Sequence, residues 1–158
     1  MKQVTIYTDG ACADNPRGNG GYGVVIVCGD HRRELSGGFR NTTNNRMEMY
    51  AVITGLEALQ EPSRVTIYSD SQYLVNSINK GWVYRWQANN WMRNEQDPAL
   101  NVDLWERILA LCQKHTVTFQ WVRGHAGQPE NERCDQLAVA ALKRNDLPVD
   151  KETRSGRL

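Results

Sequence analysis

The apolar spacing of this chain changes period near residue 44, and that change narrows the folds open to it more than any other feature. Val4-Thr5-Ile6-Tyr7-Thr8 is β-branched and aromatic throughout and stops at Asp9-Gly10, which predicts a strand ending in a turn. Residues 21–28, with Val24-Val25-Ile26-Val27, predict a second strand. Residues 32–39 predict a third, joined to it through Gly29-Asp30 as an antiparallel meander. Over 44–59 the recurrence becomes helical, with Met49, Val52, Ile53, Leu56 and Leu59 on one side and Pro62 ending the run. Strands over 65–69 and 117–122 then alternate with helices over about 71–79, 104–112 and 129–143, the last opened by Pro129 in its favoured first turn. Three strands followed by alternation imply an α/β fold: a mixed sheet with helices on its faces.

Composition sets the outer limits. With 158 residues, 40% of them hydrophobic and 23% charged, the chain can bury one core and is too apolar for disorder. No run approaches the roughly 18 apolar residues that cross a bilayer, and no signal-peptide core follows Met1-Lys2-Gln3, so a soluble, untargeted protein is expected, cytoplasmic if its thiols are reduced; a monomer is expected separately. A formal charge of +1 gives no global field to attract a polyanion, so any nucleic-acid binding must rest on particular residues. Cys12, Cys28, Cys112 and Cys134 lack metal-ligand or redox spacing and read as reduced thiols. Residues 81–101 fit no simple period and carry Trp82, Trp86 and Trp91, which marks an insertion. Residues 146–158 are polar, with Pro148 and no apolar face, and are expected to be a loose tail after a domain ending near 145.

Gly18-Asn19-Gly20-Gly21-Tyr22-Gly23 matches a dinucleotide-binding string but leads into a strand rather than a helix, so it reads as a glycine-rich hairpin that admits close backbone approach. The chemistry lies in four carboxylates. Asp9 and Asp70 end predicted strands, and parallel neighbours would bring both to the C-terminal edge of the sheet, where open α/β folds gather ligands. Each also has a plain alternative, a turn at Asp9-Gly10 and a helix cap at Asp70. Glu48 shares a helix side with Val52, Gly55 and Leu59, and Asp135 aligns with Ala138, Val139 and Leu142. Carboxylates aimed at a core are costly unless paired, protonated or bound to a cation. Should the four converge, a hard divalent ion, Mg²⁺ or Mn²⁺, is the natural compensation, and an acidic Mg²⁺ site points to phosphoryl chemistry. His125, between Gly124 and Gly127, could move a proton there or be an ordinary surface histidine; His31 and His115 suggest nothing catalytic.

Read together, Thr8-Asp9-Gly10-Ala11-Cys12, Thr42-Thr43-Asn44-Asn45-Arg46-Met47-Glu48, Ser69-Asp70-Ser71-Gln72-Tyr73 and the run from Gly124 through His125 to Cys134-Asp135 resemble a bacterial type 1 ribonuclease H over residues 2–143. The resemblance implies a five-stranded mixed sheet of order 3-2-1-4-5 and endonucleolytic hydrolysis of RNA in RNA/DNA hybrids, leaving 5′-phosphate and 3′-hydroxyl ends. It implies that Asp9, Glu48, Asp70 and Asp135 bind two Mg²⁺ ions, with Mn²⁺ able to substitute, and that His125 assists proton transfer or product departure. It also places Gly10, Cys12, Asn15, Asn44, Asn45 and Gln72 near the hybrid and Thr43 in a DNA-phosphate pocket, with Gly20-Gly21 allowing close approach of the strand.

The chain departs from the family pattern in three places. Between Trp82 and Asn101, Arg85 and Arg93 are offset by Glu95 and Asp97, where well-known members are lysine-rich. Asn41 stands where relatives often have arginine, and an apparent extra residue within 14–20 brings Arg17 nearby. Lys151, Arg154 and Arg157 lie beyond the matched region. Rival readings are an integrase or 3′ to 5′ exonuclease of the same broad architecture and a hybrid-binding module without catalysis.

Overall fold

Three long strands open the chain in the computed structural model, which describes residues 1–14 and 17–152. They are β1 (Lys2–Cys12), β2 (Gly18–Cys28) and β3 (His31–Thr42), followed by α1 (Asn44–Glu57), β4 (Ser63–Ser69), α2 (Gln72–Asn79), α3 (Trp82–Ala88), α4 (Val102–Lys114), β5 (Thr116–Trp121) and α5 (Pro129–Leu142). The sheet has the order β3-β2-β1-β4-β5. Its first three strands are antiparallel and β1, β4 and β5 run parallel, which is the expected α/β architecture.

Periodicity explains the layers. Ile6, Val24 and Ile67 are fully buried and meet Val52, Ile53 and Leu56 of α1, with Leu74 of α2 and Leu104, Trp105 and Ile108 of α4 closing the core. The opposite face is covered by α5, whose buried residues are the small Cys134, Ala138 and Ala141. Small side chains let α5 come close, and Gly21 and Gly23 of β2 complete the fit: a Cβ on Gly21 would stand 2.1 Å from the Ala138 carbonyl oxygen, and one on Gly23 2.2 Å from that of Cys134. Sequence reasoning foresaw a substrate strand at Gly20-Gly21; instead Gly21, with Gly23, admits a helix, and the space beside Gly20 is filled by Thr42 and Met47. Side-chain caps start α1, α2 and α5: Thr43, Ser71 and Gln128 accept from the amides of Arg46, Leu74 and Asn131.

The insertion contains α3 and a tight turn bridged at Met92 and Pro98. Trp86 meets buried Trp105 edge to face at 6.5 Å, and Lys80 lies over the Trp82 ring at 5.5 Å, so these tryptophans pack the protrusion onto the body.

The expected loose tail is corrected over 146–152. Leu147 and Asp150 are buried, and the segment pairs with the end of β3, the Arg40 amide donating to the Pro148 carbonyl (2.7 Å) and the Asp150 amide to that of Arg40 (2.9 Å). Composition concealed this because one apolar residue and one fully bonded carboxylate suffice to dock it. Arg154 and Arg157 lie outside the described residues.

At the opposite end of the sheet, His115 is buried and its Nδ1 accepts the Ser63 amide at 3.1 Å, while its Nε2 has no protein partner. Burial, then Lys114, pushes its pKa below the ordinary 6.5. The unfolded chain thus binds the proton more readily, so stability is full above 6.5 and falls as the pH drops below it. Denaturant midpoints between pH 7.5 and 5 should decline more in the native protein than in His115→Gln, whose amide oxygen can still accept the Ser63 N–H. Parallel declines would remove His115 as the cause.

Candidate active site

Strand register brings the first two carboxylates together. β1 and β4 pair in parallel up to Tyr7 opposite Tyr68, and two residues further on stand Asp9 and Asp70. Neither plain alternative describes them: β1 continues through Asp9-Gly10 to Cys12, so there is no turn, and Ser71 rather than Asp70 caps α2. Glu48 arrives from α1, which passes so close to β1 that a Cβ on Gly10 would lie 2.5 Å from the Glu48 amide nitrogen. Oxygen atoms of Asp9, Glu48 and Asp70 all come within 4.8 Å of one another. Asp135 approaches Asp9 from α5 and lines the same cavity, outside that tightest trio.

Glu48 is 4% exposed, and its buried Oε1 has no hydrogen-bond partner in the protein. Burial, followed by the charges of Asp9 and Asp70, drives its proton affinity well above that of an ordinary glutamate. Asp9 is pushed up to about 8, first by burial and then by Asp70, against a 2.9 Å hydrogen bond from the Gly10 amide that favours the ionised form. An oxygen-only donor set, mutual repulsion and an orphaned buried acceptor together fit a hard divalent cation.

The carboxylates floor an open cavity of about 350 Å³, whose rim carries Gly10, Asn44, Asn45, Gln72 and His125. His125 is exposed and sits in the left-handed region at φ 56°, in the loop between β5 and α5. That loop hugs the site: a Cβ on Gly124 would be 2.6 Å from an Asp70 carboxylate oxygen. Trp121 donates its indole N–H to the Asp70 carbonyl at 3.2 Å, fixing the strand end from which that side chain projects.

Two expected contacts lie apart from this cavity. Cys12 turns its thiol to the carbonyls of Asp14 (3.2 Å) and Thr42 (3.5 Å). Thr43 lines a second cavity, of about 420 Å³, beyond the start of α1, together with Arg17, Asn44, Asn45 and Asn101. There Arg17 grips Asn41 through both its side chain (3.1 Å) and its carbonyl (2.8 Å), while Arg40 is directed to the Leu147 carbonyl (2.9 Å). Asn15 lies outside the described residues. Sequence reasoning assigned no role to Asn131 and Glu132, which line a small recess beside Asp9 and Asp135, or to Arg46, buried behind the rim. The run Asn131-Glu132 beside Asp135 carried the only local hint of the recess.

Comparison with known proteins agrees with this arrangement. The RNase H family model matches residues 1–143. Ribonuclease H of Desulforamulus reducens is 64% identical over 150 residues, covering 95% of this chain and 94% of that protein. Ribonuclease H of Syntrophus aciditrophicus is 65% identical over 150 residues, covering 95% and 86%. Among solved structures, LC9-RNase H1, described as a type 1 RNase H with the type 2 active-site motif, is similar at TM-score 0.80 and 32% identity, covering 90% of this chain and 72% of that one. LC11-RNase H1 in complex with an RNA/DNA hybrid shares the fold at TM-score 0.67 and 23% identity, covering 88% and 96%. A family match over nearly the whole chain, close bacterial relatives and a sheet of the same order place the chain in the bacterial type 1 ribonuclease H family.

Proposed function

We propose that Asp9, Glu48, Asp70, Asp135 and His125 carry out the reaction of this ribonuclease H, the internal cleavage of the RNA strand of RNA/DNA hybrids to 5′-phosphate and 3′-hydroxyl ends. The family depends on divalent metal, and the observation that carries the assignment is the buried Glu48 Oε1, unpartnered within reach of Asp9 and Asp70. Mg²⁺ is the proposed ion, with Mn²⁺ as a substitute, since an all-oxygen site suits both. A pair of such ions supplies an activated water and neutralises charge on the departing 3′-oxygen. Asp9 stands between the Glu48/Asp70 side and Asp135 and can serve both positions. Exposed His125, beside the carboxylates but outside their cluster, exchanges protons with solvent near the leaving group.

Asn44, Asn45 and Gln72 offer amides that both donate and accept, which suits 2′-hydroxyls in the wide minor groove of a hybrid. Gly10 lines the cavity while its missing side chain makes room for α1, and Cys12 lies at the margin with its thiol turned to the Asp14 and Thr42 carbonyls. Thr43 accepts from the Arg46 amide at 3.2 Å, which leaves its own O–H to donate to a phosphate of the DNA strand. Such contacts read sugars and phosphates, so sequence preference is low. The enzyme acts as a cytoplasmic monomer in this reading; no helix among the described residues is long and apolar enough to cross a membrane.

The deciding experiment incubates the protein and Mg²⁺ with uniformly labelled RNA/DNA, DNA/DNA and RNA/RNA duplexes. Internal RNA cuts confined to the hybrid are expected; end-trimming would favour an exonuclease, and retention without cleavage a binding module. A second measurement concerns the protrusion. Its Arg93 is held within its own turn by the Pro98 carbonyl at 3.2 Å, and residues 82–101 carry no net charge. Hybrid affinity should therefore fall shallowly with salt and steepen in Glu95→Lys, by roughly 0.7–0.9 in the log–log slope for each additional phosphate neutralised. A steep native slope unaffected by that change would place the phosphate-binding residues elsewhere.

A further inference from the structure

Arg46 is fully buried two residues before Glu48, and its guanidinium ties α1 to two distant parts of the chain. One edge meets Asp150 of the C-terminal segment, Nε at 2.7 Å and Nη2 at 3.1 Å. The other meets Asp103 at the start of α4 through two bonds of 2.9 Å. The Asp150 carboxylate also accepts from the Thr42 hydroxyl (2.7 Å) and the Tyr50 hydroxyl (3.2 Å), so four donors converge on it. From the guanidinium the bonding continues to the Asn101 side-chain oxygen (3.4 Å), and the Asn101 amide donates to the Tyr73 hydroxyl (3.3 Å), which also receives the Trp105 indole N–H (3.0 Å).

This chain of bonds reaches the substrate groove from both sides: Arg46 stands one residue from it, and Tyr73 lines it. Arg46 follows Asn45 at the start of α1, and Tyr73 follows Gln72 at the start of α2. We propose that Asp150 and Arg46 are positioning residues, the C-terminal segment clamping the two helix starts so that Asn44 and Asn45 face Gln72 across the groove at a fixed separation. The inference rests on reading those amides as substrate contacts.

The physical case is one of geometry. A buried ion pair contributes little to stability compared with apolar residues of the same volume, but its directional bonds admit a single arrangement. Arg46 uses its planar fork on two carboxylates at once, which fixes its orientation in a way a lysine could not. The bonds span residues 42 to 150 and cross β3, α1, α2 and α4, so no local element could set the same spacing. The catalytic carboxylates are held separately, by strand register and by the close contact at Gly10. Loosening the clamp should therefore act on substrate binding and leave the cleavage step.

The test compares steady-state kinetics on an RNA/DNA hybrid for the native chain, Asp150→Ala, Thr42→Val and Asn45→Ala, at a temperature where circular dichroism shows each folded. Asp150→Ala is expected to raise KM about five- to tenfold with kcat within about twofold, and Thr42→Val, which removes one donor to Asp150, about twofold in the same direction. A merely structural role would lower the melting temperature and leave KM of the folded enzyme unchanged, which overturns the proposal; a fall in kcat at unchanged KM overturns it too. If Asp150→Ala does not fold, Thr42→Val decides by the same criteria. A raised KM in Asn45→Ala with a native KM in Asp150→Ala rejects the clamp alone, whereas a native KM in both rejects the groove assignment with it.

Discussion

Asp9→Asn is expected to abolish turnover, by a factor of about 10³ or more, and, in the absence of divalent metal, to make the protein more stable. The activity loss follows from position, since Asp9 interacts with both Asp70 and Asp135 in the proposed site and the amide that replaces it is a poor ligand for a hard cation. The gain in stability follows from repulsion. The folded-state pKa of Asp9 is about 8, against 3.8 for an unperturbed aspartate, so between those values the folded state holds a proton that the unfolded chain releases. The contribution of this group is full below 3.8 and is lost as the pH rises through about 8. Asparagine mimics the neutral form and escapes the loss. The variant's advantage should be absent at acid pH, grow to the order of 2 kcal/mol near neutrality, and appear as a melting temperature higher by roughly 5 °C. Mg²⁺ should narrow the gap by stabilising the native protein and not the variant. Melting in chelator across pH 4–8 checks this, and an equal or lower melting temperature for the variant at pH 7 would contradict the electrostatic account.

The parts of the structure legible in the sequence are those written in local chemistry. β1 and β4 announce themselves in β-branched runs, and α1 in its 3.6-residue recurrence. Glu48 and Asp135 stood out because a charge on an apolar helix side has few inexpensive explanations, whereas Asp9 and Asp70, at strand ends, each kept a plain alternative. Strand ends were harder: β1 runs on past Asp9 because Gly20 to Gly23 of β2 continue the ladder opposite it, and pairing of that kind leaves no mark on either segment. Least legible were bonds between distant residues. Arg46 and Asp150 are 104 positions apart, and each looks like an ordinary surface charge until the partner is in place. The same holds for Gly21, whose missing side chain says that something comes close without saying what.

What comes close at Gly21 is α5, and that gives a second large effect. Gly21→Ala places a methyl group 2.1 Å from the Ala138 carbonyl oxygen and 2.7 Å from the Leu142 amide nitrogen, contacts with helix backbone that no rotamer change can relieve. Ordinary separation requires α5 to retreat by more than about 1 Å, opening gaps around Cys134, Ala138 and Ala141, at a cost of roughly 3 kcal/mol. Asp135 moves with the helix while Asp9, Glu48 and Asp70, set by β1, α1 and β4, stay in place. The residual folded enzyme should therefore lose activity about 10²-fold, because displacement of one ligand by about 1 Å disturbs the alignment of the reacting groups. Part of that loss should be recovered at high Mg²⁺, where mass action offsets a weakened site. The contrast with Asp9→Asn is diagnostic: one change raises stability and removes activity beyond rescue, the other lowers both and responds to metal. Urea unfolding together with a Mg²⁺ titration of cleavage measures the two effects, and a native unfolding midpoint for Gly21→Ala would show that α5 is not held against the sheet as closely as its small residues imply.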